Sequence, residues 1–98
     1  MVKIITELAE IPDGSLVVID FFAPWCGPCK RIAPVYEELA KKFPRVTFLK
    51  VDVDESEDIA SKFSIESLPT FVFLQNGVEV KRIEGADLRR VIEQLESF

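Results

Sequence analysis

The chain has 98 residues, of which 48% are hydrophobic and 30% charged, so we expect one small globular domain spanning residues 1–98. Its 12 basic and 17 acidic residues give a net charge of -5 without any basic cluster, which argues against nucleic acid or an anionic membrane surface as a partner. No apolar run approaches the roughly 20 residues of a membrane span, and the N-terminus turns acidic too early for a signal peptide. We therefore expect a cytoplasmic protein.

The N-terminal part of the chain predicts two strands separated by a short connection. Val2 to Ile5 favours a first strand. Glu7 to Ile11 has room for at most a short helix, with Thr6 as its candidate cap, before the turn signal Pro12-Asp13-Gly14. The apolar run Leu16 to Phe22 shows little alternation, which predicts a second strand that is covered on both faces.

The middle of the chain predicts a long helix, a third strand and a second helix. The long helix should run from about Pro28 to Phe43, and Pro34 should kink it rather than stop it. Arg45 to Val53 contains the third strand. Asp54 followed by Glu57 three residues later resembles a capping box that would start the next helix. That helix places three apolar residues on one face: Ile59, Ala60 and Phe63.

The C-terminal part predicts a hairpin and a final helix. Thr70 to Leu74 and Val78 to Ile83 are strand patterns on either side of Asn76-Gly77, a dipeptide typical of tight hairpin turns. Asp87 can cap the last helix, whose buried stripe would be Leu88, Val91, Ile92 and Leu95. Parallel crossovers thus come first and a hairpin last, which predicts a mixed sheet with helices on both faces.

The only two cysteines, Cys26 and Cys29, lie three positions apart at the start of the predicted long helix. Unpaired backbone N–H groups and the helix dipole favour negative charge there, so Cys26, at the extreme N-terminus, should ionise first and Cys29, one turn inside, should be less exposed. Residues three apart in a helix also have a Cα separation that suits a disulfide, roughly 4.4 to 6.8 Å. Cys26 is therefore the predicted nucleophile and Cys29 the resolving thiol of a Cys26–Cys29 dithiol–disulfide couple.

Gly27 and Pro28, between the cysteines, are expected to tune this couple. Gly27 would let the backbone turn tightly, and Pro28 suits the first turn of a helix, where its missing N–H costs little. Neither residue offers a charge or a hydrogen-bond donor to a Cys26 thiolate, as a His would. The reduced form is then stabilised less, and we predict that the pair acts as a reductant rather than as an oxidase or isomerase.

Three other interpretations of the cysteine pair are weaker. A structural disulfide would close a loop too small to constrain the unfolded chain much, and such bonds are rare in reducing compartments. Zinc needs four ligands, but the chain has two Cys and no His, so only carboxylates or a second chain could complete a site, and we expect no metal. Covalent haem attachment needs a His where this chain has Lys30.

Asp20 interrupts the apolar run of the second predicted strand, so it either faces solvent at a strand end or is buried. If it is buried without a strong partner, its pKa should rise, because desolvation disfavours the charged form. A carboxylate that titrates near neutrality could exchange a proton with Cys29. The strand alone leaves open whether Asp20 has this role. Lys50, on the expected neighbouring strand, is a candidate modulator of Asp20, although a surface lysine on a sheet edge is the simpler interpretation.

Taken together, these residues resemble the thioredoxin family along nearly the whole chain. A Cys-x-x-Cys alone is a weak signal, whereas Trp-Cys-Gly-Pro-Cys-Lys followed at a distance by Leu-Pro-Thr is highly specific. The matching stretches are residues 18–30, 32–34, 48–55, 65–71, 76–77 and 85–86.

The resemblance implies a thioredoxin fold, an α/β architecture with a five-stranded mixed sheet flanked by four helices on both faces. The first helix should be short, because the segment between Ile5 and Leu16 is shorter than in most members. Asp20 matches the family's buried acid. The family also implies a cis peptide bond between Leu68 and Pro69, next to the cysteines.

The resemblance further implies an apolar surface that docks an extended substrate chain beside Cys26. Lys50 matches a position where members carry Lys or Glu, and Phe22 stands where many bacterial members carry Trp. The extra regulatory cysteines of some animal members are absent. The residues implied for docking are Trp25, Gly27, Pro28, Leu68, Pro69, Thr70, Gly85 and Ala86.

The function that the resemblance implies is reduction of protein disulfides as a general electron donor, with no cofactor besides the redox-active disulfide. The chain has no Gly-rich dinucleotide fingerprint, so electrons must come from a partner, for which the family suggests a flavin- and NADPH-dependent thioredoxin reductase. Expected substrates are proteins such as peroxiredoxins or ribonucleotide reductase, and we expect a monomer. A binding module that uses the same apolar surface as a subunit or regulator is the competing hypothesis.

Overall fold

Apolar runs and turn residues give this chain five strands, three α-helices and one short 3₁₀-helix. The computed structural model describes residues 1–98. The strands are β1 (Val2–Ile4), β2 (Leu16–Phe22), β3 (Val46–Asp52), β4 (Thr70–Gln75) and β5 (Val78–Glu84). The α-helices are α1 (Gly27–Lys42), α2 (Glu57–Lys62) and α3 (Leu88–Ser97), and the 3₁₀-helix is Leu8–Glu10. None of the helices has the length and apolar character that crossing a membrane requires.

The five strands form one mixed sheet in the order β1-β3-β2-β4-β5. β3 pairs in parallel with both β1 and β2, while β4 pairs antiparallel with β2 and β5. The predicted mixed sheet is therefore confirmed. Because β2 lies at the centre, the cysteines that follow it emerge at the carboxyl end of the central strand, where open α/β sheets commonly bind ligands.

The sheet is covered on both faces, as the apolar pattern of β2 predicts. On one face α1 and α3 pack over β2, with Val18, Tyr36 and Leu95 in a shared core cluster. On the other face α2 and the segment after the 3₁₀-helix pack over the sheet, with Ile19 and Ile59 in a second cluster. Burial of each such side chain contributes about 1.5–3 kcal/mol, so both layers hold the central strand in place.

Two turn and cap predictions are confirmed. Asn76 and Gly77 both have positive φ, 53° and 81°, which is the conformation of a type I′ hairpin turn between β4 and β5. The Asp87 side chain caps α3 by accepting a hydrogen bond from the Arg90 amide at 3.3 Å. α1 also continues through Pro34, so that proline does not end the helix.

Two helix starts differ from the prediction. The first helix is a single 3₁₀ turn whose N-cap is Glu7 rather than Thr6, since the Glu10 carboxylate accepts from both of their amides. The four expected helices are therefore three α-helices and one 3₁₀ turn, and the expected short first helix is confirmed. The capping box proposed for Asp54 is absent, and Ser56 is the N-cap of α2.

Candidate active site

Cys26 is the N-cap of α1, the position where helix amides have no partner within the helix. The Cys29 amide donates a hydrogen bond to Cys26 Sγ at 3.2 Å. The two cysteines form a disulfide with a Cα separation of 5.3 Å, inside the range such a bond needs. The end of the helix therefore directs an N–H group at the sulfur that the sequence predicts to be the nucleophile.

The two cysteines differ in access rather than in exposed fraction. Cys26 is 5% and Cys29 4% exposed, so in the disulfide form Cys29 is not clearly the less exposed of the two. Only Cys26, however, lines a cavity of about 450 Å³, which we call the Cys26 groove. A substrate sulfur can therefore reach Cys26, while Cys29 lies behind it. The groove is lined by Trp25, Cys26, Gly27, Pro28, Val53, Ala60, Ile65, Glu66, Ser67 and Leu68.

Gly27 does not make the tight turn that the sequence suggests. Its φ is outside the positive range seen at Gly77, and it is the first residue of α1. A Cβ placed there would meet only Arg31 Nη1, at 3.5 Å, an ordinary contact. Pro28 occupies the first turn of the helix, as expected. The geometry thus accounts for Pro28 at this position but gives no conformational reason for Gly27.

Half of the predicted docking surface lies in the groove. Trp25 is 70% exposed at its rim, and its indole Nε1 donates to Asp54 Oδ2 at 2.8 Å, which fixes the ring over the opening. Pro28 and Leu68 line the groove wall. Leu68 also packs against the small cluster that contains both cysteines.

The other half of the predicted docking surface lies outside the groove lining. The Leu68–Pro69 peptide bond is cis, as the resemblance implies, and Pro69 is buried. Thr70 is fully buried, and its hydroxyl donates to the Ser67 carbonyl at 2.6 Å, so it supports the loop and offers no surface to a substrate. Gly85 donates from its amide to the Pro69 carbonyl at 2.8 Å, and Ala86 is exposed next to it.

Five residues of the groove are not among those that the sequence predicts. Ile65, Glu66 and Ser67 immediately precede the predicted docking segment, and this proximity was a usable signal. Val53 directly follows β3 at the same sheet edge as the cysteines, which could also have indicated it. Ala60 lies on α2 and was predicted only as a core residue, so no local pattern pointed to its place in the groove.

Asp20 lies on β2 and is only 1% exposed, so the buried alternative is confirmed. Neither of its carboxylate oxygens has a hydrogen-bond partner. Burial raises the pKa of Asp20 to about 7, and the positive charge of Lys50 opposes part of that rise. Asp20 therefore titrates near neutrality, which suits a group that takes up and returns a proton.

Lys50 is directly opposite Asp20 in the parallel register of β2 and β3. Since β3 lies between β1 and β2, the alternative of a lysine on a sheet edge is wrong. The Lys50 ammonium lies 4.4 Å from the centre of the Phe22 ring, within cation–π range. The ammonium that acts on Asp20 is therefore also in contact with the Phe22 ring.

Tyr36 is a buried hydroxyl near Asp20 that the sequence did not single out. Its Oη contacts the carbonyls of Leu49 and Val18 at 2.9 and 3.2 Å, on the two strands that carry Lys50 and Asp20. Burial, with a smaller contribution from the Asp20 charge, raises the pKa of Tyr36 well above its ordinary value. Tyr36 is thus a neutral hydrogen-bond donor that ties α1 to the β2–β3 pair.

The chain is similar to many known proteins over nearly its full length. The sequence model of the family described as Thioredoxin matches residues 6–97. The chain is 48% identical over 101 residues to thioredoxin 1 of Plasmodium falciparum (isolate 3D7), covering 96% of this chain and 97% of that protein. It is 52% identical over 82 residues to an H-type thioredoxin of Oryza sativa subsp. indica, covering 81% of this chain and 67% of that protein.

The structural similarity agrees with the sequence similarity. A solved structure of Plasmodium falciparum thioredoxin has a TM-score of 0.92 against this chain at 45% identity, covering 98% of each. The matched residues include the helix N-terminus with its Cys26–Cys29 disulfide and the central strand with its buried carboxyl. By sequence, fold and the geometry of its cysteine pair, this chain belongs to the thioredoxin family of thiol–disulfide reductases.

Proposed function

We propose that this chain reduces protein disulfides as a general electron donor, through the Cys26–Cys29 couple. The observation that carries the proposal is the position of Cys26, which caps a helix and opens into a groove. Its sulfur accepts from the Cys29 amide at 3.2 Å, which stabilises a thiolate, and Cys29 is near enough to close a disulfide. A structural disulfide would need neither the groove nor this access.

The chemistry proceeds in two exchange steps. The Cys26 thiolate attacks one sulfur of the substrate disulfide, forms a mixed disulfide and releases the other substrate sulfur as a thiolate, which takes a proton from water. Cys29 then gives its proton to a base and attacks Cys26 Sγ, which forms the Cys26–Cys29 disulfide and breaks the bond to the substrate. The second substrate sulfur leaves as a thiolate and takes that proton back from the base. Two electrons have then passed from the couple to the substrate, and of the two protons on the product thiols one comes from Cys29 and one from water.

We propose Asp20 as the group that exchanges a proton with Cys29 in the second step. Its burial and its pKa of about 7 support this role, because a carboxyl with that pKa is partly ionised near neutral pH. It lies on the face of β2 that α1 covers, the same face as Val18. Lys50, which lowers the pKa of Asp20, then acts as a modulator rather than as a reacting group.

Leu68 is the proposed contact for the substrate backbone. Its N–H and C=O take part in no hydrogen bond within the chain, although the residues on either side of it do bond. An extended peptide can pair with such free backbone groups in the manner of an added strand. This pairing would hold the substrate disulfide over Cys26, which lines the same groove as Leu68.

We propose that a separate flavin- and NADPH-dependent thioredoxin reductase restores the dithiol. The absence of a dinucleotide fingerprint in the sequence and the membership of the thioredoxin family support this partner. Substrates of the class of peroxiredoxins or ribonucleotide reductase fit an open groove that selects little by shape. A reducing compartment such as the cytoplasm would keep the couple in its active dithiol form.

The test is turnover of insulin disulfides with NADPH and a thioredoxin reductase, for the wild-type chain, Cys26→Ser and Cys29→Ser. We expect wild-type turnover, no reaction for Cys26→Ser, and a trapped mixed disulfide without turnover for Cys29→Ser. Sustained turnover by either variant would contradict the proposal. Turnover of the wild type with dithiothreitol but not with the reductase would contradict only the proposed partner.

A further inference from the structure

The Cys26 groove carries its charges unevenly, with carboxylates on one side of Cys26 and a guanidinium on the other. We propose that the groove selects disulfides in which a Lys or Arg flanks the attacked cysteine on the side that lies over Glu66. This inference rests on the proposed function and adds a substrate class to it. The opposite flank, which lies toward Arg31, should show no such preference.

Glu66 is the charged residue among those that line the groove, and it is exposed. Two further exposed carboxylates border the same side. Asp54 follows the groove residue Val53 and holds the Trp25 ring, and Glu57 lies one turn before the groove residue Ala60 on α2.

These three carboxylates keep their charge available for a ligand. Asp54, Glu57 and Glu66 take part in none of the ion pairs within the chain. Arg82 lies near Glu66, but its guanidinium is bound to both carboxylate oxygens of Glu79, at 2.9 and 3.0 Å. Those hydrogen bonds are the main cause that raises the pKa of Arg82, and Glu66 is the smallest of the charges that contribute.

The α1 side of the groove has the opposite sign. Lys30 and Arg31 are exposed in the first turn of α1, and the Arg31 guanidinium lies over Gly27, next to Cys26. A substrate strand that pairs with Leu68 across the groove thus passes from a negative region to a positive one. Charge complementarity then selects for a basic residue on one flank of the substrate cysteine and not on the other.

The test uses symmetric disulfide dimers of blocked pentapeptides with Lys, Gln or Glu immediately before or immediately after the cysteine. The reduced protein is the stoichiometric reductant, and peptide thiols are quantified by chromatography to give second-order rate constants. Each rate constant is divided by that for cleavage of the same peptide by dithiothreitol, which removes the effect of the charge on the peptide thiol itself. Glu66→Gln is compared with Glu96→Gln, an equal change of net charge on α3.

We expect Lys to be preferred over Glu about two- to five-fold at low ionic strength, on one flank only, because exposed charge pairs contribute modestly. The preference should fall toward one in 0.5 M NaCl, decrease in Glu66→Gln, which leaves Asp54 and Glu57 in place, and persist undiminished in Glu96→Gln. An equal preference on both flanks would instead reflect the net charge of the whole chain and would overturn the inference. The inference is also wrong if no preference exists or if Glu66→Gln retains the full preference of the wild type.

The uncharged Gln peptides distinguish a failure of the charge selectivity from a failure of the proposed disulfide reduction. If wild-type protein fails to reduce them while Cys26 is intact and reduced, the proposed disulfide reduction is wrong, and the inference falls with it. If wild type, Glu66→Gln and Glu96→Gln reduce the Gln peptides at the same rate, the proposed disulfide reduction is supported for all three proteins. The rates with the Lys and Glu peptides then test the proposed selectivity.

Discussion

Asp20 is a carboxyl held in the core without a hydrogen-bond partner, and it lowers the stability of the fold at neutral pH. Its pKa is about 7 in the folded chain, against about 4 in the unfolded chain. At a pH between these two pKa values, the Asp20 carboxyl is ionised in the unfolded chain but still protonated in the folded chain. The free energy of unfolding therefore decreases as the pH rises. This loss of unfolding free energy reaches its full size above pH 7 and is absent below about pH 4.

Replacement of Asp20 by the uncharged Asn should remove this pH dependence. We predict that the unfolding free energy of Asp20→Asn minus that of the oxidised wild type rises by about 4 kcal/mol from pH 4 to pH 8, three pKa units at about 1.4 kcal/mol each. Urea unfolding at several pH values measures it, with Asp13→Asn at an exposed turn as the control. A difference that does not change with pH would show that Asp20 is not the buried titrating group.

Lys50 provides a second prediction at the residue scale. Its ammonium lowers the pKa of Asp20, so Lys50→Met should raise that pKa further above 7. The measurement is a carboxyl ¹³C NMR titration of the oxidised protein, with Lys42→Met, exposed at the end of α1, as the control. An Asp20 pKa that stays constant or falls in Lys50→Met would exclude the role of Lys50 as a modulator.

At the scale of elements, α3 depends on its cap. The Asp87 side chain satisfies one of the amides at the start of the helix, so Asp87→Ala should lower the unfolding free energy by about 1 kcal/mol. Asp87→Asn keeps a capping oxygen and should retain most of the stability. Denaturant unfolding of the three proteins measures both effects, and equal losses in the Ala and Asn variants would contradict the capping role.

The predicted elements were most accurate where short-range chemistry decides the structure. β2 has the predicted bounds Leu16 to Phe22, because an apolar run interrupted only by Asp20 and followed by turn residues is typical of a strand covered on both faces. The hairpin at Asn76-Gly77 follows from the need for positive φ at both positions. The predicted capping by Asp54 is wrong because α2 begins two residues later, after the N-cap Ser56, and the Asp54 carboxylate accepts a hydrogen bond from Trp25 Nε1 instead. A local sequence pattern does not show which of several neighbouring polar residues becomes the N-cap of a helix.

The site was predictable only in part, for reasons that belong to the whole molecule. Cys26 and Cys29 lie only three positions apart in the sequence, so their chemistry could be predicted from spacing alone. Ala60 reaches the groove because the crossover after β3 folds α2 back over the sheet, and no local pattern encodes that approach. For the same reason Lys50 was assigned to an edge, although strand order places it inside the sheet beside Asp20.

At the scale of the whole molecule, we propose that the fold keeps the Cys26 sulfur of the reduced protein anionic and accessible. The most direct measurement of this is the pH dependence of thiol alkylation in the reduced protein. Iodoacetamide rates, with mass spectrometry to assign the modified residue, should show Cys26 reacting first with a pKa below the ordinary value of about 8.5. Cys29→Ser should preserve this low pKa, because the donor to Cys26 Sγ is a backbone amide that the variant keeps. Two thiols that both titrate near 8.5, or a Cys29 that reacts before Cys26, would contradict the account.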